Sequence, residues 1–446
     1  LAGESYGRNG EAENGWGIFT SPSPMEENSG EFFQARTAVP SLSKSGGFYS
    51  SSVEVALGSD PGGDVYYTTN GSVPTTSSRV LISPISISET TTIRLRAVED
   101  GKIPSEVVTE TFIIDRTHDL PVISVVTDPD NLWSDDSGIY VQGTNGITGN
   151  CSNGPANWNQ DWEIPIHIEL FDEQGNRAFG ENAGARMFGG CSRTQPQKSL
   201  SVFFRGDYGT PELEYPLFRE KEIETFESIV LRNSGNDFNN TQFRDALMKT
   251  LIEGLEIDYQ AYEPAVMYIN GEYWGIQNIR EKINEHFIAS NHDVDIDDID
   301  LIENNGEAKH GGTEAYNEFM NALQNANMQS QADYEEVAEQ VELESYIDYM
   351  VAQTFFSNTD WPGNNLRYWR ERKNGAQWRW IIYDTDFGFS MYGQNYEQNM
   401  LQFATDPNGP GWPNPSWSTY MFRKFLENDS FQHEFINRYA DLLNYS

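Results

Sequence analysis

Short runs in which β-branched or aromatic residues alternate with polar ones fill the stretch between residues 53 and 115: VEVALG, DVYYTT, ISPISIS, TTIRLRAVE and VVTETFIID. Alternation puts every second side chain on one face, the pattern of a half-buried strand. Pro61-Gly62-Gly63 and Asn70-Gly71 separate the runs, and the second dipeptide suits a type I′ hairpin turn. Short strands at this spacing predict a small all-β sandwich over residues 40–115. Residues 1–39 lack apolar periodicity, are rich in Gly, Ser, Asn and Glu, and contain Pro22 and Pro24, which predicts the end of one module and a linker.

Over residues 116–446 the pattern lengthens and its period changes. LPVISVVT, GIYVQG, EIPIHIELFD and KSLSVFFR are expected strands. In FRDALMKTLIEGL, Phe243, Leu247 and Leu251 recur at helical spacing, which predicts a helix. PAVMYINGEYWGIQNI predicts a hairpin turning at Asn270-Gly271, and NLRYWRER with QWRWIIYDTDFGF predicts a strand pair turning near Asn374-Gly375. TEAYNEFMNALQNA, ELESYIDYMVAQTFF and HEFINRYADLLN are helical patterns. Strands first and helices later predict an α+β domain with a sheet-rich first lobe and a helical second lobe. The chain opens at Leu1 and stops at Ser446 just after a helical pattern, and is expected to be a piece of a longer protein.

Charge narrows the partners. Asp plus Glu number 68 against 29 Lys plus Arg, a formal charge of −39, which excludes general binding to nucleic acid or anionic lipid. No run of 18 apolar residues is present, so no membrane-spanning helix is expected. The two cysteines, Cys151 and Cys191, cannot build a four-cysteine zinc site. In an acidic, Trp-rich chain of secreted character they are expected to form a disulfide. DVDIDDID (293–300) lacks the Gly and Glu of a calcium loop, since Asp298 and Asn304 stand at those places, and is expected to be a solvated loop. Tyr66, Tyr67 or Trp133 would be the aromatic residues for carbohydrate binding, although aromatics in strands more often fill a core.

The residues that suggest chemistry lie near the end. In Asp360-Trp361-Pro362-Gly363-Asn364-Asn365 an Asp precedes an Asn by five positions, and Asp386-Phe387-Gly388 follows an apolar strand. Phosphotransfer sites use this order: one Asp orients an acceptor hydroxyl, an Asn binds metal, and an Asp at a strand end holds the Mg²⁺ that bridges phosphates. Asp384 competes with Asp386 for the metal, because i and i+2 share one strand face. Ordinary structural turns would use the same residues. Upstream, Gly189-Gly190-Cys191-Ser192-Arg193 precedes Lys198 at a strand start, which is either a hairpin turn or a phosphate cradle with one ammonium. Asp245 or Glu281 could form an ion pair with Lys198, with surface salt bridges as the plainer reading.

Many of these segments, in order, resemble the CotH (spore coat protein H) kinase family: LPVISVVTDPDNL, NWNQDWEIPIHIELFDEQG, GGCSRTQPQKSLSVFFR, LRNSGNDFNNTQFRDALM, YINGEYWGIQNIREKINEHF, NTDWPGNNLRYWRE and WRWIIYDTDFGF, over roughly residues 118–446. The resemblance implies a two-lobed, atypical protein-kinase-like fold and ATP- and Mg²⁺-dependent phosphorylation of protein Ser or Thr. It implies that Asp360 is the catalytic-loop acid and that Asn364 or Asn365 is its metal-binding partner. Asp384 and Asp386 match the family's D-x-D. Lys198 would contact phosphate, with Gly189, Gly190 and Arg193 in the preceding loop, and Glu281 would sit near the adenine or in an ion pair. Residues 40–115 resemble the chitobiase C-terminal-like sandwich, and residues 4–30 resemble the end of a lamin-tail domain. Such combinations occur in secreted bacterial surface proteins, so an extracellular location and surface or matrix partners are expected. A branch that kept the fold and lost activity, serving adhesion, is the alternative.

Overall fold

The computed structural model describes residues 4–9, 15–28, 31–393 and 397–445; residues 10–14 and 29–30 of the lamin-tail-like stretch lie outside the described residues. The chain divides into two compact units, Leu1–Asn233 with Glu263–Ile279, and Ser234–Tyr262 with Arg280–Ser446.

The first unit is built of β-structure. Ser5–Arg8, Trp16–Phe19 and Phe32–Phe33 pair as a three-stranded sheet within the stretch expected to be a linker. The alternating runs then pair as expected. A five-stranded sheet runs Gly47–Tyr49, Val108–Ile114, Thr91–Val98, Asp64–Thr68, Arg79–Val80, with Val53–Val55 paired to Ile85–Ile87. Their inward positions, among them Val55, Val65, Ile93, Leu95 and Phe112, form one core. Asn70-Gly71 is not a type I′ turn. Only Gly71 has a positive φ (89°), and the Asn70 side chain instead accepts from the Ser72 N–H at 3.2 Å. A type I′ turn needs φ above zero at both residues, whereas an Asn side chain can brace a turn by itself.

Seven further strands close into a barrel in the order Val122–Val126, Ile164–Phe171, Arg177–Phe188, Ser199–Phe203, Ser228–Arg232, Glu272–Glu281, Tyr262–Ile269. Parallel pairing of Val122 with Val266 completes the ring, which leaves no free strand edge. Asn270 (φ 50°) and Gly271 (φ 85°) make the predicted hairpin turn. GIYVQG is not a strand. Ile139 and Tyr140 are buried in a turn whose N–H groups bond the carbonyls of Asn131 and Leu132. The sandwich is fused to the barrel rather than tethered to it. Ile113 and Phe48 share a core with Val122, Phe171, Val266 and Tyr268, and the Thr111 and Ser124 hydroxyls meet at 2.8 Å.

The second unit combines a five-stranded sheet, in the order Asp258–Tyr259, Arg379–Ile382, Arg367–Glu371, Ile299–Glu303, Glu307–His310, with helices. Helix Leu343–Phe355 is buried along most of its length, as an all-round core helix must be. Arg438, on helix Asp429–Tyr445, grips Asp348 of this central helix at 2.5 and 2.7 Å. The helix expected in FRDALMKTLIEGL runs Arg244–Thr250. Phe243, Leu247 and Leu251 are 55%, 39% and 52% exposed, while Asp245, Met248 and Lys249 are buried. Within 293–300, residues 296–298 form a 3-10 turn capped by Asp295, and Ile299 and Asp300 begin a buried strand. Among the described residues no helix is long and apolar enough to cross a membrane.

Candidate functional site

Residues 358–365 follow the central helix Leu343–Phe355, and local bonds set their path. The Asp360 N–H donates to Asn358 Oδ1 at 3.2 Å, Trp361 is buried in the core, and the Gly363 N–H donates to the Pro413 carbonyl at 2.6 Å. Gly363 suits this approach, since a Cβ there would stand 2.3 Å from Pro415. Asp360 is thereby held inward and nearly enclosed. Its Oδ2 accepts from the Asn364 and Asn365 amides at 3.0 and 2.9 Å, and its Oδ1 accepts from the Trp412 indole at 3.2 Å. Burial, and then the neighbouring Asp384 carboxylate, push the Asp360 pKa up against these three donors.

Strand Arg379–Ile382 stops before the acidic pair. Asp384 lies in the left-handed region (φ 52°), so Asp384 and Asp386 do not share a strand face as predicted. The residue between them sets their positions. The Thr385 N–H and hydroxyl both donate to Asp245 Oδ1, at 2.7 and 2.8 Å. Asp245 is buried with Arg280 at 2.8 Å and Lys249 at 3.5 Å. Asp386 is buried too. Its Oδ2 accepts from the Asn236 N–H at 2.8 Å and its Oδ1 from the Asn236 amide at 3.4 Å. Thr359 and Asn365 tie the two segments together by donating to the Phe387 and Asp384 carbonyls, each at 3.4 Å. The fold thus gathers Asp360, Asn364, Asn365 and Asp384, with Asp386 two residues beyond.

This set suits a hard divalent cation. Among the described residues no three His, Cys, Asp or Glu side chains form a group that could hold a metal by themselves. The Asn364 and Asn365 amides turn their N–H groups to Asp360, and among the described residues their Oδ1 atoms accept from no protein donor. Two amide oxygens beside two mutually repelling carboxylates are oxygen donors of the kind Mg²⁺ takes when substrate phosphates and water complete its shell.

Lys198 belongs to the first unit. Its strand, Ser199–Phe203, is entered from the turn Gly189 (φ 93°) to Thr194, which the Cys151–Cys191 disulfide ties to the 145–156 loop across a Cα–Cα distance of 5.0 Å. The Lys198 ammonium donates to the carbonyls of Arg193 and Gln195 at 2.6 and 2.9 Å and lies 4.1 Å from the Trp158 ring centre. Carbonyl oxygens and a π face hold it. Burial lowers its pKa to about 8. Arg193 spans the loop by donating to the Trp158 and Met187 carbonyls. Glu281, in the second unit, is buried. It accepts from the Ala261 N–H at 2.8 Å and the Asn291 amide at 2.9 Å.

Sequence reasoning assigned no role to Asn236, Trp412, Trp158 or the Asp245–Thr385 bond. Asn236 lies in LRNSGNDFNN, where Asp237 accepts from Thr241 and Arg244, and a polar run that cannot be a strand was the available signal. Nothing local marks Trp412 or Trp158.

Comparison with protein families matches the CotH kinase protein model to residues 185–446, more than half of the chain. The Chitobiase/beta-hexosaminidase C-terminal domain model matches residues 44–109. A search of curated proteins finds no match. The matched region holds Lys198, Asp360, Asn365 and Asp386, and the chain belongs to the CotH kinase protein family.

Proposed function

We propose that the chain is an atypical, two-lobed protein-kinase-like phosphotransferase that uses ATP and Mg²⁺ and acts on Ser or Thr of extracellular or surface proteins of a bacterium. The observation that carries this reading is the enclosed Asp360 carboxylate, fixed by Asn364, Asn365 and Trp412 beside Asp384. Asp360 would accept a hydrogen bond from the acceptor hydroxyl and orient it. The Oδ1 atoms of Asn364 or Asn365, with Asp384 or Asp386, would hold magnesium. When bound, magnesium would supply the positive charge that offsets a triphosphate in so acidic a protein. Lys198, with the Gly189-Gly190 turn and Arg193, would contact phosphate. Glu281 would act as a positioning residue for the Ala261 backbone that it holds. The disulfide supports an oxidising, extracellular setting.

A labelled-phosphate assay with ATP, Mg²⁺ and a dephosphorylated Ser-rich acceptor protein tests the reading. Asp360→Ala is expected to lower transfer by about 10²–10⁴-fold. Transfer at the wild-type rate by that variant would overturn it. The second reading is a catalytically silent module for surface adhesion. It is favoured by the bonds that already engage Asp386 and Lys198.

A further inference from the structure

The fused sandwich and barrel share a cleft of about 880 Å³, lined by none of the residues proposed for phosphotransfer. One wall comes from sandwich residues 88–91 and 114–116, and the other from the barrel hairpin Tyr268–Tyr273. The hairpin tip is seated firmly. A Cβ on Gly271 would stand 3.1 Å from the Thr92 nitrogen, and Asn270 Oδ1 accepts from the Thr127 N–H at 2.9 Å. The cleft is therefore built into the joint between the two modules, and a ligand would not have to organise it.

Its lining has two chemistries. Tyr273 is 59% exposed and lines the cleft, with His118 in near-parallel stacking (12°, 6.5 Å) and Tyr268 edge-on at 5.7 Å. The Tyr268 hydroxyl and His118 Nε2 meet at 2.9 Å, which fixes the backing pair. Around this platform stand Glu89, Asp115, Arg116 and Glu272, whose side chains make no hydrogen bond or ion pair with the described residues. Hydroxyls of Thr69, Ser88 and Thr90 complete the polar lining.

We infer that this cleft binds a neutral oligosaccharide. A sugar ring offers a C–H face that packs on an aromatic ring and a rim of hydroxyls that both donate and accept. Carboxylates take the donated bonds and a guanidinium supplies bonds to the acceptors. Three carboxylates against one guanidinium would repel an anionic glycan, a nucleic acid or a phosphate ligand. A lipid or apolar peptide would leave these charged groups desolvated and unpaired. The inference is independent of phosphotransfer, since it shares no residue with the set proposed for that reaction.

Calorimetric titration of the whole chain with soluble hexasaccharides of (1→4)-linked glucose and of (1→4)-linked N-acetylglucosamine tests it. Binding of at least one is expected with a Kd of about 1 mM or tighter. Tyr273→Ala and Arg116→Ala should each weaken it by about tenfold or more with an unchanged melting temperature. Trp16→Ala, at an exposed aromatic residue elsewhere in the same unit, should bind as the wild type. No binding of either sugar, undiminished binding by both cleft variants, or tighter binding of a polyuronate of equal length would overturn the inference.

Discussion

Asp245 accepts hydrogen bonds from both the backbone N–H and the hydroxyl of Thr385, 140 residues away in sequence, at 2.7 and 2.8 Å. Thr385 separates Asp384 from Asp386, so this pair of bonds sets where both carboxylates stand. The same acid is paired with Arg280 in a place closed to water. Removing it takes a carboxylate from beside a buried guanidinium and an acceptor from two Thr385 donors. Asp245→Ala is expected to destabilise the protein by about 3–5 kcal/mol, read from urea unfolding. Asp245→Asn keeps an acceptor for Thr385 and should retain more of the phosphotransfer rate than Asp245→Ala. Equal stability of Asp245→Ala and wild type would show that the network does not hold the segment.

Glu169 gives a pH dependence that belongs to the joint between sandwich and barrel. It is fully buried, accepts from the Thr111 N–H at 3.4 Å and from Arg177 at 3.5 Å, and among the described residues its Oε2 has no partner. Burial raises its pKa from 4.5 to about 7. Between these values the folded state carries the proton and the unfolded state does not, so stability falls as pH rises from about 4.5 to 7 and then levels off. Glu169→Gln mimics the protonated acid. It should be more stable than wild type above about pH 7, by roughly 3 kcal/mol at most, and the gain should vanish toward pH 4.5. Denaturant unfolding across that range checks it, and a gain that stays constant with pH would contradict the assignment.

The disulfide closes a loop of 40 residues that ends in the turn holding Lys198. Replacing Cys151 and Cys191 together by serine should lower stability by about 3–4 kcal/mol, through the freer unfolded chain. The Arg193 and Gln195 carbonyls that grip the ammonium lie in the same turn. Lys198 should therefore acylate faster in the variant, as peptide mapping would read. Unchanged stability and reactivity would show that the turn stands without its tie.

Where local geometry decided the structure, the residues were legible. Asn270-Gly271 turned as its dipeptide predicts, and the alternating runs of the sandwich paired. Asn70-Gly71 is the same dipeptide and behaved otherwise, because Gly71 packs against Asn270 and the Asn70 side chain braces the turn. The Phe243-Leu247-Leu251 stripe faces solvent because the helix spends its buried side on the Asp245–Arg280 network, which no apolar period can reveal. Asp384 and Asp386 were visible as a pair, but their different surroundings come from Asn236 and Asp245, remote in sequence. Asp360 with Asn365 was legible because spacing within one loop sufficed to bring them together.

The central claim is that oxygens of Asp360, Asn365 and Asp386 serve a magnesium-bound nucleotide. Isothermal titration of the whole chain with ATP, with and without Mg²⁺, and of Asp386→Ala beside it, tests this most directly. The account predicts binding that requires Mg²⁺ and weakens by about a hundredfold or more in the variant, a loss near 3 kcal/mol. Nucleotide that binds equally well without magnesium, or binds Asp386→Ala as tightly as the wild type, would contradict it.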